Sequence, residues 1–147
     1  MSMPVTDGQV ATLRAALTDD MDRYRQLFSQ LNQAAAKKGF TALVAAAFGE
    51  AVERRFGQGQ QPADIVTFVG DIRSRSDRLA RELDPDISER VIRAMLGDGS
   101  VRDVSDAAVI STQTVLLMGL IADERLDDAG LDVFLASARK LADQLIS

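Results

Sequence analysis

The chain has no cysteine and no histidine among its 147 residues, and it has no tryptophan and a single tyrosine. Without cysteine and histidine it cannot form disulfides, thiolate nucleophiles, imidazole acid–base pairs or the usual zinc sites. An enzyme built on this chain would depend on carboxylate, Arg, Lys, Ser or Tyr24 side chains, and no phosphate-binding loop or nucleophile motif accompanies them. We therefore predict a protein that is not an enzyme and that carries no metal or other cofactor.

Acidic residues outnumber basic ones by 22 to 17, which gives a net charge of −5. In the Arg-rich stretch 73–81 the arginines alternate with carboxylates: Arg75 lies four residues after Asp71, and Glu82 lies four residues after Arg78. This spacing favours ion pairs on a solvated helix face and leaves little free positive potential for an anion. Because binding to DNA or RNA requires such potential, we predict no nucleic-acid binding.

Long hydrophobic runs are also missing. The N-terminal segment Met1–Asp7 lacks the positively charged and apolar regions of a signal peptide. The longest apolar run, Val115–Ala122, is far shorter than the ~20 residues of a membrane-spanning helix. The sequence therefore predicts a cytoplasmic protein that does not associate with a membrane.

Apolar residues recur at three- and four-residue spacing through most of the chain, and no segment alternates with period two. We predict an all-α protein in which residues 1–147 form a single domain, a bundle of about six helices. The predicted spans are 6–37, 41–56, 63–83, 85–96, 103–123 and 127–146. The fifth helix is apolar nearly all round in its second half, so it is predicted to be the central, most buried element.

The longest predicted helix, from Thr6 to Lys37, begins at a capping box formed by Thr6 and Gln9 and ends before Gly39. A helix of this length needs a partner surface along most of it. We therefore predict that it supplies a symmetric interface in a homodimer, or a surface for another protein partner. The candidate interface residues follow its apolar stripe and are Leu13, Leu17, Tyr24, Leu27 and Leu31.

Four polar side chains interrupt the predicted apolar faces: Asp20, Ser76, Thr112 and Gln113. A buried polar group needs a hydrogen-bond partner. The partner is the preceding turn or a neighbouring helix, or the polar group belongs to a small pocket or to a register-setting contact in a dimer. We predict an interaction module that associates with itself or with another protein. The alternative is a small-molecule binding domain with its pocket beside the fifth helix, next to Gln113.

Acidic residues cluster at 123–128, between the fifth and sixth predicted helices. Their spacing does not fit a calcium-binding loop, because Asp128 stands where glycine is required and Phe134 where a bidentate Glu is required. The stretch 120–135 resembles the helix–acidic turn–helix of tellurite-resistance TerB-like domains. This resemblance covers a short and very common pattern, so it does not assign the chain to that family.

Overall fold

The structure is a computed structural model that describes residues 4–31, 34–57 and 62–146. The described residues form eight α-helices and no β-strand. The helices are α1 (Asp7–Leu17), α2 (Met21–Ser29), α3 (Ala34–Phe56), α4 (Pro62–Ser74), α5 (Asp77–Glu82), α6 (Pro85–Met95), α7 (Asp106–Glu124) and α8 (Asp128–Ile146). The prediction of an all-α protein is confirmed, and the described part of the chain contains eight helices rather than about six.

The chain packs as two compact units, the first formed by Met1–Ala47 with Ile121–Ser147 and the second by Phe48–Leu120. The boundaries between the units fall inside α3 and α7, so each of these helices contributes residues to both units. The prediction that residues 1–147 form a single domain stays a prediction.

The predicted helix from Thr6 to Lys37 is wrong, because α1, α2 and the start of α3 occupy this stretch. Its capping box is present: the Gln9 N–H donates to the Thr6 hydroxyl at 3.2 Å, and the Thr6 N–H donates to the Gln9 side chain at 2.8 Å. The break after α1 comes from two aspartates. Asp19 adopts a left-handed conformation with φ of 59°, and the Asp20 carboxylate accepts the Arg23 N–H as the N-cap of α2.

The predicted helix end at Gly39 is also wrong, because α3 continues through this glycine. The physical reason is a close approach between helices. The side-chain amide of Gln9, on α1, donates to the Ala36 carbonyl at 2.8 Å, and it lies only 2.6 Å from the position that a Cβ on residue 39 would occupy. Gly39 therefore makes room for a neighbouring side chain instead of ending a helix.

The third predicted helix, 63–83, is divided into α4 and α5 at Ser76. The Ser76 hydroxyl accepts the Leu79 N–H at 3.0 Å and caps α5. The start of α4 at Pro62 and the start of α6 at Pro85 match the predicted helix starts to within a residue. Asp84 caps α6, because its carboxylate accepts the Ile87 N–H at 2.9 Å.

Buried side chains are more numerous on α3 than on α7, so the prediction that the fifth helix is the most buried element is wrong. The buried residues of α3 are Gly39, Phe40, Leu43, Val44, Ala46, Ala47, Phe48, Ala51, Val52 and Phe56. Those of α7 are Thr112, Gln113, Leu116, Leu117, Leu120 and Ile121. The first six residues of α7 are exposed or half-buried, and half-buried residues also separate the buried ones.

By length and composition, α7 is also the one helix among the described residues that could cross a membrane. The apolar run Val115–Ala122 was too short to predict a membrane span, because the polar residues of the preceding turn interrupt the apolar sequence of α7. Leu116 and Leu117 are completely buried, and 33% of the apolar window of α7 is buried inside the protein. The buried core helix of a globular protein has this same composition.

Candidate interaction surfaces

The four polar residues predicted as buried fall into two pairs. Asp20 and Ser76 are exposed helix caps, so the prediction that they lie in an apolar face or a pocket is wrong. Thr112 and Gln113 are buried, with 8% of each residue exposed. Neither of them lines either of two surface depressions, which are formed by residues of α1 and α8.

The five predicted interface residues also divide. Leu13 is completely buried and Leu31 is 8% exposed, so both pack within their own chain and leave almost no surface for a second copy. As interface contacts these two residues were predicted wrongly, because the helix that would have aligned all five does not exist. Leu17, Tyr24 and Leu27 are half-buried and still present part of their surface to solvent.

Helix α2 is the least buried of the longer helices. The structure describes all nine of its residues, Met21–Ser29, and none of them is buried. Its apolar face carries Tyr24, Leu27 and Phe28, which we call the aromatic ridge, and Phe28 is 39% exposed. Phe28 was not among the predicted interface residues, although it lies four residues after Tyr24 and therefore on the same helix face.

Ring contacts hold the aromatic ridge in place. The Tyr24 and Phe28 ring centroids lie 5.7 Å apart, and Phe28 meets Phe40 of α3 edge to face at 5.8 Å. Burial raises the pKa of the Tyr24 phenol, so it stays protonated at neutral pH. The ridge is thus an ordered, uncharged apolar surface with a hydroxyl at one end.

Two arginines flank the aromatic ridge. Arg23 and Arg25 immediately precede and follow Tyr24, so on a helix they lie about 100° to either side of it, and both are exposed. The Arg25 guanidinium donates to the Asp22 carboxylate at 2.6 Å, a pair in which both side chains remain largely in solvent. Such a pair leaves Arg25 available to other carboxylates, because exposed ion pairs are weak.

A groove of about 360 Å³ lies between α1 and α8. Its floor is apolar, and its rim carries charged side chains from both helices. We call it the rimmed groove: Val10, Ala11, Leu135 and Ala136 form the floor, and Asp7, Arg14, Asp132 and Arg139 form the rim. A second depression of about 400 Å³ shares Ala136 and Arg139 with it.

Ion pairs between the two helices bound the rimmed groove at both ends. Arg139 donates to Asp7 at 2.7 Å at one end, and Arg14 donates to Asp132 at the other, with Asp128 at 3.5 Å from Arg14. From Asp7 to Arg14 the chain advances seven residues along α1, whereas their partners, Arg139 and Asp132, lie seven residues apart in the reverse order along α8. The two helices are therefore antiparallel.

The carboxylates of this rim face solvent more than the guanidinium groups do. The side chains of Asp7 and Asp128 are 96% and 97% exposed, whereas those of Arg14 and Arg139 are 31% and 37% exposed. Arg139 also donates to the Val5 carbonyl at 2.7 Å, which holds it against the protein. The rim is thus a set of ion pairs whose outermost groups are carboxylates.

The described residues contain no group of three or more acidic side chains that could hold a metal ion. Arg90 and Asp103 form another exposed ion pair, in the second unit, and their mutual hydrogen bond lowers the pKa of the Asp103 carboxyl and raises that of Arg90. This pair, with the Arg90 donation to the Ser100 carbonyl at 2.9 Å, fastens the segment before α7 to α6. It has a structural explanation and needs no ligand.

Comparison of the chain with protein-family models, with curated proteins and with solved structures gives no match. The short resemblance of the acidic turn to TerB-like domains therefore assigns no family.

Proposed function

We propose that this chain is a non-enzymatic protein-interaction module that binds other copies of itself through the aromatic ridge. One observation carries the proposal: α2 is an ordered amphipathic helix none of whose described residues is buried, and it presents Tyr24 and Phe28 at the surface. Aromatic side chains are enriched at protein interfaces, where they bury much apolar area and lose little conformational entropy.

The interface in this proposal is smaller than the sequence predicts. Leu13 and Leu31 are occupied within their own chain, so the contact is centred on Tyr24, Leu27 and Phe28. A few well-packed aromatic anchors supply most of the binding energy of many interfaces. We therefore expect a small interface that buries about 1,200 Å² or less, which is the size of weak and transient contacts. The expected dissociation constant is in the micromolar range.

The other features of the proposal rest on the sequence. They are a cytoplasmic location, no nucleic-acid or membrane partner and no cofactor, with α7 acting as a core helix. The alternative function, a small-molecule binding domain with its pocket beside Gln113, gains no support from the two described depressions, because one is lined by α1 and α8 and the other by α8.

Sedimentation velocity over a range of concentrations tests the proposal. The wild-type chain should show a mass that rises with concentration, and Phe28→Ser should remain a monomer. Val66→Ser is the matched control, because Val66 is 47% exposed on α4 and is not part of the aromatic ridge. Its substitution should leave self-association unchanged. A wild-type chain that stays monomeric at several hundred micromolar would overturn the proposal.

A further inference from the structure

We infer that self-association is head-to-tail: the aromatic ridge of one copy occupies the rimmed groove of the next. The inference rests on the proposed function, because it specifies which surface of the second copy receives the ridge. The chain carries two unlike apolar surfaces: guanidinium groups flank the ridge, and carboxylates are the outermost groups beside the groove.

The charges beside the aromatic ridge disfavour a symmetric contact between two ridges. Arg23 and Arg25 lie on opposite sides of Tyr24. A second ridge packed face to face, parallel or antiparallel, therefore brings arginine beside arginine along both edges. Like charges placed together across an interface are strongly unfavourable. The Asp22 carboxylate, which pairs with Arg25, offsets only part of this repulsion, because the pair is exposed to solvent.

The rimmed groove supplies the opposite sign. On its rim Asp7 and Asp132 pair with Arg139 and Arg14, and Asp128 lies beside Arg14; these carboxylate side chains are 96%, 68% and 97% exposed, so they project further into solvent than the two guanidinium groups do. The small side chains of Ala11 and Ala136 leave space between α1 and α8 for an incoming ring. An apolar ridge flanked by two guanidinium groups is thus complementary to this groove both in polarity and in charge.

Such a contact is heterologous, since the two surfaces that meet differ. Each copy in the assembly uses its ridge toward one neighbour and its groove toward the other. The assembly then grows as a ring or an open chain, and it does not stop at a two-fold dimer. This consequence separates the inference from the symmetric alternative in a simple mixing experiment.

The experiment uses one variant that removes the ridge and one that fills the groove. Phe28→Ser leaves the groove intact, and Ala136→Arg fills the groove while leaving the ridge intact. Ala136 is an exposed helical residue, so arginine is tolerated there. Ala122→Arg, at an exposed position on α7 outside both depressions, is the matched control and should associate like the wild type.

By sedimentation velocity, Phe28→Ser and Ala136→Arg should each be monomeric, with self-association weakened about 100-fold by the loss of a central anchor or by like-charge contact. Their equimolar mixture should form a 1:1 dimer that grows no further, because one working ridge and one working groove remain. Raising NaCl from about 50 to about 500 mM should weaken wild-type association, since salt screens attraction between opposite charges.

The outcomes distinguish this inference from the proposed function. If the wild type does not associate at all, the proposed function fails and the inference fails with it. If the wild type associates but Ala136→Arg still dimerises alone, or salt strengthens association, the ridge pairs with itself: the proposed function stands and the head-to-tail inference is overturned. Circular dichroism and thermal melting of each variant establish that it is folded before its mass is interpreted.

Discussion

Gly39 and Gly70 should respond in opposite directions to the same substitution by alanine. Both lie in the interiors of helices, where glycine is less favourable than alanine by about 1 kcal/mol. A Cβ on residue 70 would meet nothing within 4 Å, so Gly70→Ala should stabilise the protein by up to about 1 kcal/mol. A Cβ on residue 39 would lie 2.6 Å from the Nε2 atom of Gln9, which must move.

The cost of moving Gln9 follows from its contacts. Its residue is 3% exposed, and its amide both accepts the Thr6 N–H and donates to the Ala36 carbonyl. Each lost hydrogen bond costs about 1 kcal/mol, and an amide left buried without a partner costs more. The loss of about 2–3 kcal/mol exceeds the helix-propensity gain, so Gly39→Ala should destabilise the protein by about 1–2 kcal/mol.

Urea denaturation followed by circular dichroism measures both variants, with the midpoint read at an unchanged m-value. A third variant identifies the cause: in a Gln9→Ala background the obstruction is gone, and Gly39→Ala should become stabilising like Gly70→Ala. If Gly39→Ala stabilises the otherwise wild-type chain as much as Gly70→Ala does, then Gln9 does not pack against Gly39 and the reasoning is refuted.

Three further predictions concern the second unit. Gly119→Ala should destabilise by about 1–2 kcal/mol, because its Cβ would lie 2.5 Å from the end of Ile72, and adding Ile72→Val should relieve most of this loss. Ser88→Ala should be neutral or stabilising by up to about 1 kcal/mol in urea denaturation, because the buried Ser88 hydroxyl has no hydrogen-bond partner among the described residues; a clear loss would contradict this. Since Arg90 lowers the pKa of Asp103 in the folded state, the pair stabilises at neutral pH and this contribution is lost as the pH falls through that lowered pKa. Asp103→Asn should accordingly show less loss of stability between neutral and acidic pH than the wild type, and an identical pH profile would refute the pairing.

Helix starts could be predicted from the sequence where the signal is local. Thr6 and Gln9 satisfy N–H groups within the same turn, and their predicted capping box is confirmed. The predicted start of a helix at Pro85 is confirmed as well, and the Asp84 carboxylate caps it by accepting the Ile87 N–H. The all-α class is equally local, because it follows from the spacing of apolar residues. No information about the rest of the chain was needed for either.

Interior breaks and continuations were predicted less well, because they depend on distant contacts or on competing local ones. Gly39 is typical of a helix end in the sequence, but the amide of Gln9 makes it a packing position within α3. Ser76 and Asp20 looked like polar residues inside apolar faces. Each instead caps a new helix, because a Ser or Asp side chain that accepts a backbone N–H competes with continuation of the helix.

The wrong prediction of one continuous helix over residues 6–37 also led to a wrong expectation of which residues are available for an interface. If residues 6–37 formed one helix, its stripe would run along a single face and all five predicted interface residues would be available together. The break at Asp19 and Asp20 instead directs Leu13 into the protein and separates α2 as a short helix with an exposed face. Phe28, which lay outside the predicted stripe, thereby becomes the most exposed aromatic side chain of this region. The interface that we propose therefore lies on α2, beside Arg23 and Arg25.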